Sequence, residues 1–146
     1  MNEAEGRLLA AIPKWGEPRE QWAQDRPNTL TNGFGVVDAL GRTIPGMHAE
    51  LEVFISPSLG QVKYVFSLKR FELGRIERIY QLEINPRAGL RRSDHAFSHE
   101  HYGETSFKAD DDWAWADFDD AVRRFCANAN VEFTAEMPNY QGFILK

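Results

Sequence analysis

Three closely spaced runs of alternating side chains limit this fold most. Leu51, Val53 and Ile55 alternate with Glu50, Glu52 and the apolar Phe54. Val62, Tyr64, Phe66 and Leu68 alternate with Lys63, Ser67 and Lys69, and Ile76, Arg78, Tyr80, Leu82 and Ile84 share one parity. A period of two is that of a strand with one face buried. Pro57-Ser58-Leu59-Gly60 is the turn between the first two runs. Parallel neighbours would need a crossover of about a dozen residues or more, and the intervals are too short for one. The runs therefore predict an antiparallel meander. An earlier β-prone run holds Phe34, Val36 and Val37 and ends near Leu40, with turns at Gly41 and at Pro45-Gly46.

Two segments read as helical. Leu8, Leu9 and Ile12 place a short helix over residues 3–12, closed by Pro13. Phe118, Val122, Phe125, Cys126 and Ala129 form one apolar face, with Asp117 as N-cap and Asp119 and Asp120 at the positive helix start. Cys126 lies on that face and reads as a core residue. Residues 13–32 carry Trp15, Pro18, Trp22 and Pro27 and read as an arm wrapped on the body, with one helical turn near Glu20 to Gln24. A last strand is expected from Tyr140 to Leu145. The fold class is α+β: an antiparallel sheet of about four to six strands with a C-terminal amphipathic helix packed on one face. One domain is expected over 1–146, with the N-terminal helix and arm in 1–32 and the α+β core in 33–146.

Composition narrows the function classes. A net charge of −5 argues against broad nonspecific nucleic-acid binding, which needs a positive surface to release counterions. The single cysteine excludes an intramolecular disulfide and a zinc site built on several thiolates. No run approaches the ~18 apolar residues of a membrane span, and the acidic start Met1-Asn2-Glu3-Ala4-Glu5 is not a secretory signal. The expected location is the cytoplasm, away from membranes. Sheet edges offer unpaired donors and acceptors, and the sequence leaves monomer and homodimer open.

Chemistry concentrates in Asp94-His95-Ala96-Phe97-Ser98-His99-Glu100-His101-Tyr102-Gly103-Glu104, which holds three of the four histidines. Three readings stand side by side. His99 and His101 on a strand would project to the same side, and with Glu104 they form a partial set of imidazole and carboxylate metal ligands. The same pair suits metal-free RNA cleavage, in which one group takes the 2′-hydroxyl proton and another protonates the leaving oxygen. Arg87, Arg91 and Arg92 before the segment and Lys108 after it would stabilise the phosphate, and Tyr102 would stack on a base. In the third reading the histidines are solvated or bonded to Asp94, Glu100 and Glu104, and the loop meets another protein. The segment matches no GxSxG, P-loop or HExxH template. Asp110-Asp111-Asp112 reads as a solvated acidic approach to the helix, and Lys69, Arg70, Arg75 and Arg78 as a mixed-charge hairpin face.

The order Val36-Val37-Asp38-Ala39-Leu40-Gly41-Arg42-Thr43-Ile44-Pro45-Gly46, then Lys63 to Phe71, Ile79 to Ile84 and Ser98-His99-Glu100-His101-Tyr102-Gly103-Glu104 resembles a group of uncharacterised bacterial proteins over roughly residues 33–130. More distantly, the strand and histidine-rich loop are similar to the TumE-type toxins of toxin–antitoxin modules. Those toxins carry a denser His-His-x-His pattern. The resemblance implies a ribonuclease toxin with a small cognate protein partner. The resulting expectation is RNA cleavage by His99, His101, Glu104 and, secondarily, His95, with Arg91, Arg92, Tyr102 and Lys108 binding substrate and no metal or cofactor. The alternative is a non-catalytic protein-binding module of antitoxin, immunity or phage-related type.

Overall fold

The alternating runs become long strands paired edge to edge. The computed structural model describes residues 1–57, 60–85, 98–108 and 116–143. Its strands are β1 Lys14–Gly16, β2 Ala23–Arg26, β3 Thr29–Val37, β4 Thr43–Ile55, β5 Val62–Glu72, β6 Arg75–Ile84, β7 His99–Tyr102, β8 Thr105–Lys108 and β9 Val131–Phe133. Helix α1 spans Glu3–Ala11 and α2 spans Phe118–Ala129. The fold is α+β, dominated by antiparallel pairing. The strands form a single sheet in the order β8-β7-β6-β5-β4-β3-β1-β9, with β2 also paired to β3.

Among the described residues the sheet has nine strands, where the sequence predicts about four to six, and it is mixed. Lys14, Trp15 and Gly16 pair in parallel with Val131, Glu132 and Phe133. Nearly the whole chain separates these two strands, so no short hairpin constrains their direction. The N-terminal arm is β-structured: Ala23–Arg26 is a strand, and no helical turn forms near Glu20. Trp22 holds the arm down, its indole N–H donating to the Pro138 carbonyl at 2.8 Å and its ring lying 5.9 Å from Phe118. Pro45-Gly46 lies inside β4 at a register shift. Gly46 has φ +71°, and a Cβ there would meet the Phe71 carbonyl oxygen at 2.1 Å, so only glycine fits. Tyr140–Gly142 is a 3-10 turn and not the start of a strand; Ile144 and Leu145 lie outside the described residues.

A bulge in β6 breaks the parity read from the sequence. Leu68 pairs with Tyr80 but Lys69 pairs with Arg78, which leaves Ile79 as the extra residue. Ile79 is fully buried, while Ile76, beyond the bulge, is 66% exposed. Leu51, Val53, Phe66, Leu68, Tyr80 and Leu82 are buried on one side. Phe125 lies 6.1 Å from both Phe66 and Tyr80, and Phe118 lies 6.0 Å from Tyr64. Asp117 and Asp120 close a reciprocal capping box at the start of α2.

Lys14 ties the ends of both helices together. Its buried ammonium donates to the carbonyls of Ala10 at 2.9 Å, Ile12 at 2.5 Å and Ala129 at 2.6 Å. These carbonyls sit at the negative ends of α1 and α2 and lack partners within the helices. Burial pushes the Lys14 pKa down to about 8, which leaves it charged at neutral pH.

Candidate functional site

Strand β7 deals its four side chains alternately to the two faces of the sheet. Tyr102 is opposite Tyr80 and Glu100 opposite Leu82; His101 is opposite Gln81 and His99 opposite Glu83. Glu100 and Tyr102 thus join the aromatic side. Its carboxylate accepts from the Tyr80 hydroxyl at 2.9 Å and from Asn128 of α2 at 3.1 Å. His99 and His101 share the other side with the alternate residues of β4, β5, β6 and β8. Following the register, one row reads Lys108, His99, Glu83, Val65, Glu52, Thr31, and the next reads Ser106, His101, Gln81, Ser67, Glu50, Gly33.

The two imidazoles meet on this second face, ring centroids 4.9 Å apart and planes at 77°. His99 Nε2 lies 3.1 Å from Glu83 Oε2, and the second oxygen of that carboxylate lies 3.2 Å from the Lys63 ammonium. Both His99 and Glu83 side chains are mostly buried, 14% and 16% exposed. His101 Nδ1 is buried and has no hydrogen-bond partner among the described residues. Burial, then the charges of Arg78 and His99, hold the His101 pKa down to about 4, against a smaller upward pull from Glu83. His101 is therefore neutral at pH 7. Arg78 is fixed beside it, donating from Nε to the Gly103 carbonyl at 3.1 Å and from its guanidinium to Gln81 at 3.2 Å. Gln81 in turn donates to the fully buried Ser67 hydroxyl at 2.8 Å.

Further along the face, Glu50 and Glu52 lie on the same side of β4 and act on each other electrostatically. Burial and the Glu50 charge raise Glu52, whereas the Lys69 ammonium at 3.0 Å outweighs burial and lowers Glu50. Arg26 clamps Glu52 at 2.7 Å.

The expected site residues separate. His99 and His101 come together, and Lys108 stands opposite His99 on the same face, exposed. Tyr102 is on the other face, its ring 5.0 Å from Tyr80 with the Arg7 guanidinium 4.1 Å above it. Glu104 lies beyond Gly103, whose φ of +57° reverses the chain. Its carboxylate is 83% exposed and 3.6 Å from the N-terminal ammonium, so the acid beside an imidazole is Glu83. His95, Arg91, Arg92 and Arg87 lie outside the described residues, as do Asp110-Asp111-Asp112. Among the described residues no group of three or more His, Cys, Asp or Glu is placed to hold a metal ion. Cys126 is partly buried on α2, and burial pushes its thiol up to about 12. Sequence reasoning missed Glu83, Gln81, Ser67, Arg78 and Lys63. The signal was present in the polar parity of β5 and β6, which an isolated strand presents simply as a solvated side.

Among the described residues no helix is long and apolar enough to cross a membrane. No protein-family model, curated protein or solved structure matches the chain.

Proposed function

We propose that the second sheet face cleaves RNA by metal-independent acid–base chemistry, with α2 covering the opposite face. The observation that carries this reading is the pair of imidazoles 4.9 Å apart, one with a carboxylate oxygen 3.1 Å from its Nε2 and the other kept neutral. Neutral His101 accepts the 2′-hydroxyl proton as that oxygen attacks phosphorus. The bond to the 5′-oxygen breaks, and His99 supplies the proton this leaving group takes up, giving a 2′,3′-cyclic phosphate and a 5′-hydroxyl. Glu83 fixes the orientation of the His99 ring. Among the described residues, Arg78 acts on His101 and Lys108 stands opposite His99, and both would stabilise the phosphate. With the TumE-type resemblance, this makes the chain a bacterial toxin acting in the cytoplasm, held in check by a small cognate protein.

Incubating the purified protein with total RNA, with and without chelator, tests the proposal. Fragments ending in cyclic phosphate, formed equally in both, are the expected outcome; intact RNA rejects it.

A second reading as a protein-binding module draws on one observation. Leu40 is 74%, Leu73 93% and Ile76 66% exposed, and all three lie at the hairpin end of the sheet formed by the β3–β4 and β5–β6 turns. Exposed apolar side chains gathered at one end of a sheet are what this reading would use as its contact surface.

A further inference from the structure

Phe54 is the odd residue of the second face. The alternation His48, Glu50, Glu52 along β4 ends in an aromatic ring on the polar side, between Thr29 of β3 and Lys63 of β5. The ring lines a pocket of about 350 Å³ together with Asn28, Thr29, Gln61 and Lys63. That volume falls in the ~300–1,000 Å³ range of small-molecule sites. Two cations lie over the ring, the Arg26 guanidinium 5.5 Å and the Lys63 ammonium 5.8 Å from its centroid, where an incoming base would displace or share them. Both are accessible, at 61% and 39% exposure.

We propose that the Phe54 pocket binds an unpaired nucleobase of single-stranded RNA, as a substrate subsite of the histidine face. The inference rests on the RNA-cleavage reading. An aromatic ring offers a stacking platform to any base, and flanking Arg and Lys take the phosphates. Amide side chains such as Asn28 and Gln61 match the hydrogen-bonding edges of an unstacked base. A chain of contacts joins the pocket to the histidines: Lys63 lies against Phe54 and binds one oxygen of Glu83, whose other oxygen holds His99. Three strand spacings, ~14 Å, separate β4 from β7, a span that an extended RNA of a few nucleotides crosses. A base seated on Phe54 would therefore place a later phosphate at His99 and His101, and a duplex, whose bases are already stacked, would be excluded.

The test titrates full-length protein with adenosine monophosphate and with a short single-stranded oligoribonucleotide, following backbone resonances, and measures cleavage in parallel. Saturable shifts at Asn28, Phe54 and Gln61 are expected with both ligands. Phe54→Ala should weaken both roughly tenfold, the scale of one stacked base, and raise KM while leaving kcat nearly unchanged; Phe54→Trp should restore binding. If RNA is cleaved but Phe54→Ala binds and turns over as wild type, the subsite is wrong and the cleavage reading stands. If the nucleotide binds at Phe54 but RNA stays intact, the cleavage reading falls and the pocket is a nucleobase site but not a substrate subsite. Absence of shifts at these residues with either ligand overturns the subsite.

Discussion

Glu100 and His101 are adjacent in β7 and serve opposite faces of the sheet. Glu100 is bonded to Tyr80 and Asn128 within the aromatic side, where ring contacts among Phe66, Tyr80, Phe118 and Phe125 dominate. Among the described residues, the buried Nδ1 of His101 has no partner, and the ring stands among Gln81, Arg78 and His99. The first face uses its polar atoms to lock packing. The second places ionisable groups where β-branched residues would serve a sheet better, and it desolvates the His101 imidazole at a cost to stability. Such violations of local preference are expected where function, not folding, selects the residue.

If the faces divide the work this way, substitutions should separate accordingly. Phe125→Ala, which empties a fully buried site, should cost about 3–5 kcal/mol in denaturant unfolding; a loss under about 1 kcal/mol would mean the aromatic side is not the core. Lys14→Met should cost about 2–4 kcal/mol, because three carbonyls at two helix ends lose their donor. The second face should show itself through pH. His101 takes up its proton at about 4 when folded and at 6.5 when unfolded. The unfolded chain therefore binds more protons between these values, and stability falls as pH drops through that window. Allowing for partial screening, the effect is about 2 kcal/mol. His101→Gln should flatten the acid slope by that amount, and an unchanged slope would show that the imidazole is not desolvated. Leu73→Ser at the exposed hairpin tip should change stability by less than about 0.5 kcal/mol. If it also abolished a biological effect that the histidine variants keep, the binding-module reading would replace cleavage.

The sequence displayed the α+β class, the capped helix α2 and the three central strands, because period and capping are local signals. It hid what depends on distant pairing. The β1–β9 pair forms between Lys14 and Val131, far apart in the chain. The Ile79 bulge leaves no trace in an alternating pattern, so parity alone groups Ile76 and Arg78 with Tyr80 and Leu82. In the site, the shared side of His99 and His101 followed from strand parity alone. Glu83 was invisible as a partner because its role comes from cross-strand register, and the nearby Glu104 looked equivalent until the turn at Gly103 carried it away. Tyr102 failed as a neighbour of the histidines by the same parity that united them.

Single-turnover cleavage of a single-stranded RNA by wild type, His99→Asn, His101→Asn and the double variant tests the division most directly. Two groups acting as one unit predict that each single variant loses about 100-fold or more and that the double variant loses little beyond that. Chelator should change nothing, and the wild-type rate should fall as pH drops toward about 4, where His101 gains its proton. Folded single variants that cleave at the wild-type rate would contradict the account.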